Sequence, residues 1–295
     1  MNFILSDGNY RQDLLPFTFT RPVGAIRVGI TTIKEKWEHG LGEKISFLTE
    51  DYLSDKFPSH IEDDNIVIHA SFLPDVSVIK AVTALKTNEA LTYQKEVVAY
   101  RSSTPKKDLD TTNLKEIEYG KDVLTIKHTW DIFSKNDTIL RADFQRITKG
   151  RKSMPISNTN TVLGAENIFL EEGAAVECSI LNATTGPIYV GKHAQIMEGC
   201  VMRGGLALGA HAVVKMGAKL YGANTFGPYC KVGGEVNNSV LFAYSNKGHE
   251  GFLGNSVLGE WCNLGADTNT SNLKNYYAHV RLCDYISEVV ARTGL

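Results

Sequence analysis

The sequence predicts two unlike domains in one chain, an α/β domain followed by an all-β parallel β-helix, and three observations carry that prediction. From Val190 to Val232 a bulky apolar residue recurs at every sixth position, whereas a helix repeats near 3.6 residues and a strand at 2. Residues 160–270 hold 18 of the 26 glycines but only six of the 31 lysines and arginines, a shift in composition that marks a change of architecture. Before residue 150 short β-branched runs alternate with helix-permissive stretches, as in α/β folds. The length, 295 residues, also exceeds one average domain.

Taken in order, Phe3–Leu5 reads as the first strand, and Ile45–Leu48 and Ile66–Ile68 as later ones. Val78, Ile79, Val82 and Leu85 fall on one face of a helix. Lys149 to Asn160 is polar, with one proline and no apolar period, so the boundary is expected there. That gives residues 1–150 as the first domain, 151–160 as a linker and 161–295 as the β-helix.

The six-residue series is Val190, Ile196, Met202, Leu208, Val214, Leu220, Phe226 and Val232. Four residues after each comes a second inward candidate: Ala194, Cys200, Leu206, Ala212, Ala218, Asn224, Cys230 and Val236. Hexapeptides that each supply a short strand and a turn stack into a triangular parallel β-helix, with about 18 residues per coil. Gly191, Gly209 and Gly227 are one such coil apart, and a turn with positive φ is the expected reason for glycine there. His193 and His211 follow two of these glycines by two residues, and Tyr229 follows the third. Catalytic zinc needs three protein ligands and an open position, so an exterior ladder of stacked rings is expected in this column, and no metal site. Between Val236 and Phe252 the beat fails, and this reads as an excursion from the solenoid carrying His249 between Gly248 and Gly251, with Lys247 and Glu250 beside it. Irregular loops on rigid scaffolds often carry function.

The string SNKGHEGFLGNSVLGEWCNLGADTNTSNLKN resembles the acetyltransferase half of the bifunctional GlmU-type enzymes. Those enzymes join glucosamine-1-phosphate acetyltransferase to N-acetylglucosamine-1-phosphate uridylyltransferase. The match runs through Gly248-His249, Leu253-Gly254, Leu258-Gly259 and Asn263-Leu264-Gly265-Ala266. The resemblance implies a left-handed β-helix, with His249 as catalytic base and Glu235 as the carboxylate that orients it. It also implies substrate contacts from Phe252 (a tyrosine in the family), Asn263 and Asn272, with Lys247 beside them, and acetyl-CoA as co-substrate. The family's phosphate-binding lysine falls on Asn237. An amino sugar must lose a proton as it attacks a thioester, and imidazole can accept one near neutral pH. No covalent intermediate on the protein is needed, and Cys200 and Cys230 already read as small core residues.

The opening FILSDGNYRQDLLPFTFTRPVGAIRVGITTIKEKW resembles a divergent group of sugar nucleotidyltransferases, a Rossmann-like α/β fold. The resemblance places Arg11 and Arg21 in the nucleotide loop, where backbone N–H groups and cations meet triphosphate oxygens. It also implies Mg²⁺. The family's catalytic lysine, however, is Phe17, and no aspartate ligand is identifiable, His69-Ala70-Ser71 standing where it belongs. Nucleotide binding with slow turnover is therefore expected.

The expected function is that of an amino-sugar nucleotide biosynthesis enzyme transferring acetyl from acetyl-CoA to an amino sugar phosphate. The alternatives are a sugar-1-phosphate nucleotidyltransferase, such as a thymidylyltransferase-like enzyme, and a non-catalytic sugar-nucleotide-binding trimer. The resemblance implies a homotrimer, and a β-helix that continues for several coils past the point matching Gly294-Leu295, so the chain is expected to lack acetyl-CoA-binding coils. A net charge of −2 gives no electrostatic reason to expect a nucleic-acid or anionic-membrane partner. No apolar stretch approaches the roughly 20 residues of a membrane span. Five cysteines without a C-x-x-C pair suit a reducing compartment, and the cytoplasm is the expected location.

Overall fold

The computed structural model describes residues 1–107, 113–270, 281–283, 285 and 290–292. They fall into two compact units, the first comprising Met1–Ile26, Thr32–Thr129 and Arg281–Ala291, the second Arg27–Thr31, Trp130–Val280 and Arg292–Leu295. The first is an α/β unit and the second a parallel β-solenoid, as expected from the two sequence patterns.

In the first unit the strands are β1 (Asn2–Ser6), β2 (Ile45–Leu48), β3 (Asn65–His69), β4 (Glu89–Tyr93), β5 (Glu96–Ser102) and β6 (Lys115–Glu118). Their order in the sheet is β2-β1-β3-β5-β4-β6. β1 runs parallel to both β2 and β3, while β5 is antiparallel to β3 and to β4. The middle of each central parallel strand is apolar, as sheets covered on both faces require: Ile4, Ile66 and Ile68 are fully buried. Helix α1 (Ile33–Leu41) starts at a capping box. Thr32 Oγ1 accepts from Glu35 N at 3.2 Å, and the Glu35 carboxylate accepts from Thr32 N at 2.7 Å. It buries Trp37, whose indole N–H donates to Phe72 O at 3.0 Å. Helix α2 (Val76–Thr83) buries Val78 and Val82, two members of the face read from sequence.

In the second unit, helices α3 (Asp131–Ser134) and α4 (Asn136–Thr148) precede the solenoid. Leu140 and Phe144 of α4 pack with Ile30, Phe169 and Ala207. Asn136 accepts from Gly29 N at 2.7 Å and donates to Ala223 O at 2.9 Å, which ties the 27–31 segment and α4 to the coils. The polar stretch 151–160 lies along the first coil, with Met154 N donating to Leu170 O and Asn160 donating to Val176 O.

The solenoid is a left-handed β-helix of three parallel sheets with six, six and five strands. All sixteen residues of the two inward series from Val190 to Val236 are buried. Asn224 is the one polar member, and it is satisfied inside: its amide donates to Tyr221 O at 2.8 Å and accepts from Ser239 N at 3.0 Å. That is the condition under which a core tolerates a carboxamide.

The glycine column has a different cause from the one expected. Gly191, Gly209 and Gly227 are not among the residues with positive φ; His193, His211 and Tyr229 are. What requires glycine is the backbone one coil above. A Cβ on Gly209 would sit 2.6 Å from Gly227 C, and one on Gly227 would sit 1.7 Å from Phe242 O.

The excursion expected between Val236 and Phe252 is also absent. The solenoid continues through it as a shortened coil. Val201 pairs with Lys219, an 18-residue step, but Lys219 pairs with Glu235 and Thr225 with Val240. Gly233-Gly234 turns the corner between Lys231–Val232 and Glu235–Asn237 with two residues, where Lys215–Ala218 used four on the coil below. Sequence periodicity loses its beat when a corner loses residues, although the sheets remain in register.

The ring ladder is present and longer than its sequence column. His193, His211, Tyr229, Tyr244 and Trp261 stack along one edge of the prism, with successive centroids 5.2, 4.7, 5.3 and 4.6 Å apart. Each has left-handed φ. Among the described residues no three His, Cys, Asp or Glu side chains gather into a group that could hold a metal.

Candidate functional site

Both units carry chemically capable side chains at the ends of their strands. In the first, β1 lies between β2 and β3, so the chain reverses its direction of sheet growth at β1. In open α/β sheets, ligands bind outside the carboxyl ends of strands at such a switch point. The carboxyl ends here carry Ser6-Asp7-Gly8 and His69-Ala70-Ser71. Gly8 adopts φ 59° and ψ −163°, a conformation essentially confined to glycine, and a Cβ there would lie 1.8 Å from His69 Nε2.

His69 is wedged between Tyr10 and Phe72, ring centroids 5.8 and 5.4 Å away. Asn9 N lies 3.2 Å from its Nε2 and Ser71 N lies 3.3 Å from its Nδ1. Beyond it, Glu96 accepts from Lys127 Nζ at 2.7 and 2.9 Å and from the Tyr10 hydroxyl, while Lys127 Nζ stands 4.6 Å from the centre of the Tyr10 ring. Burial, assisted by Lys127 and opposed by Glu96, lowers the His69 pKa to about 4. Between pH 4 and the ordinary 6.5 the unfolded chain therefore binds the proton that the fold excludes, and stability falls as pH falls through that window. The expected slope is that of one proton, about 1.4 kcal/mol per pH unit. Urea titrations of wild type and His69→Gln at pH 4.5, 5.5 and 6.5 check this: the two slopes should differ, and identical slopes would show that His69 is not the group.

Arg11 and Arg21 are both buried. Arg11, 9% exposed, donates to Asp7 Oδ2 at 2.8 Å, to Tyr52 Oη at 2.7 Å, to Arg21 O at 3.3 Å and to Thr18 O. Asp7 also accepts from Val23 N at 2.7 Å and Thr49 Oγ1 at 2.5 Å. The pair thus braces the 7–23 loop from inside. Magnesium takes hard oxygen ligands in near-octahedral array. Here the end of β3 offers an imidazole, and the carboxylates of Asp7 and Glu96 are occupied by cations and hydroxyls. The donor set does not fit the ion.

Residues 3–152, just over half of the chain, match the sugar nucleotidyl transferase family. The chain belongs to that family. Bifunctional protein GlmU of Paracoccus denitrificans (strain Pd 1222) is similar to it, 35% identical over 83 residues, which are 28% of this chain and 18% of that relative. The chain therefore aligns with less than a fifth of the curated relative's length. Family membership and this likeness place the chain among transferases with a nucleotide-sugar biosynthesis-like role. No helix among the described residues of this sugar nucleotidyl transferase family member is long and apolar enough to cross a membrane.

In the second unit, His249 is exposed on the four-residue corner Gly248–Gly251. Glu235 and Phe252 stand side by side on the sheet that this corner enters, with Lys219 on the other side of Glu235. The Glu235 carboxylate accepts from the Tyr221 hydroxyl at 2.5 Å; among the described residues no hydrogen bond joins it to His249. Lys247 points inward, 2% exposed, in the column that Val232 occupies one coil below. Its ammonium donates to Gly233 O at 3.0 Å and His249 O at 2.7 Å, and burial lowers its pKa. Lys247 therefore anchors the backbone of the His249 corner. Asn263 is exposed in register with Asn246. Asn272 lies outside the described residues.

Sequence reasoning missed Tyr10, Glu96, Lys127 and Tyr221. The first three come from a 3₁₀ turn (Asn9–Leu14), the start of β5 and a segment about thirty residues further on, and no spacing connects them. Tyr221 was detectable in principle, since it and Asn237 are outward residues of adjacent coils.

Proposed function

We propose that this chain transfers acetyl from acetyl-CoA to the amino group of a sugar phosphate, acting as a cytoplasmic homotrimer with His249 as general base. The observation that carries this reading is the exposed imidazole of His249, on a corner held from inside by Lys247 and beside the outward row Lys219, Glu235 and Phe252. The amine attacks the thioester carbonyl, its proton passes to the imidazole, and the C–S bond breaks to release the CoA thiolate, which takes the proton. Backbone N–H groups at the coil corners would meet the transient oxyanion. Because Glu235 is engaged by Tyr221, orientation of the base falls to the anchored corner. Cys178, Cys200, Cys230 and Cys262 are free thiols, which supports a reducing compartment. The deciding test is acetyl-CoA-dependent release of free thiol in the presence of glucosamine-1-phosphate; no release above the rate without the sugar would refute the reading.

The switch point of the first unit favours a second activity, sugar-nucleotide binding. With Phe17 in the lysine position and no carboxylate at the end of β3, pyrophosphorolysis of UDP-N-acetylglucosamine should run well below roughly 1 s⁻¹, while calorimetry should still detect the nucleotide.

A further inference from the structure

At the edge of the first sheet where its parallel strands end, three carboxylates each hold a cation of their own. Asp7, just past β1, pairs with Arg11 at 2.8 Å. Glu50, just past β2, pairs with Lys107 at 2.5 Å. Glu96 starts β5, which runs antiparallel to β3 and so brings it to the same edge, and it pairs with Lys127 at 2.7 Å. Their oxygens are engaged further: Asp7 accepts from Val23 N and Thr49 Oγ1, and Glu96 from the Tyr10 hydroxyl. A divalent ion would have to displace an ammonium or a guanidinium to reach any of the three. At Asp7, 5% exposed, the displaced guanidinium would be left as an uncompensated buried charge.

The room beside the glycine is filled as well. A glycine after the first strand of such folds lets the backbone approach a diphosphate closely. At Gly8 that room holds the chain's own imidazole: a Cβ would fall 1.8, 2.2 and 2.3 Å from Nε2, Cδ2 and Cε1 of His69. Besides Tyr10 and Phe72, backbone N–H groups face the ring at both nitrogens, Asn9 N at Nε2 and Ser71 N at Nδ1. A neutral imidazole has one lone pair and one N–H, so it accepts from one of these donors and turns its own N–H towards the other. The Ser71 hydroxyl, fully buried, makes no hydrogen bond among the described residues. With its pKa lowered to about 4 by burial, the ring is uncharged at pH 7 and supplies no positive charge in place of an ion. The imidazole is therefore a poorer partner for this cradle than a diphosphate, whose oxygens are all acceptors.

We propose that His69 is an internal occupant of the cradle at Gly8, and that the first unit takes the diphosphate of a nucleotide sugar without a divalent cation, when the imidazole turns away. The inference rests on the sugar-nucleotide reading of the switch point for the identity of the ligand, but not for the filled cradle. Apparent affinity is then the intrinsic affinity multiplied by the fraction of molecules whose ring is out. The wild-type chain binds weakly for that reason, and removal of the ring tightens binding. The same arrangement gives binding without transfer: carboxylates committed to side-chain cations recruit no ion to neutralise charge on a transferred nucleotidyl group.

Calorimetric titration of the full chain tests it, with UDP-N-acetylglucosamine and inorganic pyrophosphate as separate probes on wild type, His69→Ala and His69→Gln. A thermal melt verifies that each variant folds, and His69→Gln, which keeps a polar side chain between Tyr10 and Phe72, serves if the alanine variant does not. Wild type should bind UDP-N-acetylglucosamine with the same affinity, within about twofold, in Mg²⁺ and in EDTA. In EDTA, His69→Ala should bind both probes about tenfold or more tightly than wild type, and His69→Gln should show a smaller gain. A residue that merely supports the loop would show the opposite, a loss of affinity on removal. Wild-type affinity that rises more than about twofold with Mg²⁺, or variants that bind both probes no more tightly than wild type, would each overturn the proposal. Tighter pyrophosphate binding by the variants with no binding of UDP-N-acetylglucosamine would leave the filled cradle standing and remove the sugar-nucleotide reading. Wild-type binding of the sugar nucleotide with no gain in either variant would do the reverse.

Discussion

His249→Ala should lose on the order of 10²–10⁴ of the acetyl-transfer rate, the range usual for removal of a general base, while its unfolding curve stays within about 0.5 kcal/mol of wild type. The fold should not register the change because the ring is exposed and, among the described residues, makes no hydrogen bond. The anchoring contact in that corner is made by the backbone carbonyl of His249 to Lys247, and alanine retains it. Steady-state thiol release across pH 6–8, alongside urea denaturation, measures both quantities. A variant within twofold of wild type over that pH range would remove His249 from the mechanism.

Arg11→Met should cost about 3–5 kcal/mol of stability, because breaking a buried ion pair from one side leaves the other charge uncompensated. Asp7 would remain 5% exposed with only Thr49 and Val23 N as partners. The effect should reach the 7–23 loop first, since Arg11 also links Thr18, Arg21 and Tyr52. The double variant Arg11→Met/Asp7→Leu should recover much of the loss, as apolar replacements of buried pairs often do. Urea midpoints of the three proteins measure it. A single-variant loss below about 1 kcal/mol would mean that water reaches the pair. If the double variant folds but no longer binds UDP-N-acetylglucosamine, Arg11 serves the nucleotide as well as the loop.

Arg11 also illustrates what residue patterns conceal. In sequence it stands in a glycine-containing loop after a strand, where a cation facing phosphate is a sound expectation; its burial and its five-group neighbourhood depend on Asp7, Thr18, Arg21, Glu50 and Tyr52 arriving together. Glu235 is a similar case. The family resemblance implied an orienting carboxylate there, but shortening of the Gly233-Gly234 corner sets its register beside Lys219 and Phe252, and its oxygen meets Tyr221.

By itself the sequence determined the β-solenoid and its interior. An inward position must be filled on every coil, and dense packing admits only a narrow range of side chains there, so the requirement is written as a period. The ring ladder followed from the same logic for His193, His211 and Tyr229, where the step is constant. Tyr244 and Trp261 escaped because the coil steps leading to them are shorter than 18 residues, and a fixed period cannot follow a corner that changes length. Only the tertiary structure decided why Gly209 and Gly227 must be glycine, which is the close approach of the next coil. It alone decided that Lys247 faces inward, that Glu96, Lys127 and Tyr10 surround His69, and that His69 fills the room beside Gly8. Each of these is a single contact between segments distant in the chain. Such contacts form once and leave no repeat, whereas the core columns repeat on every coil.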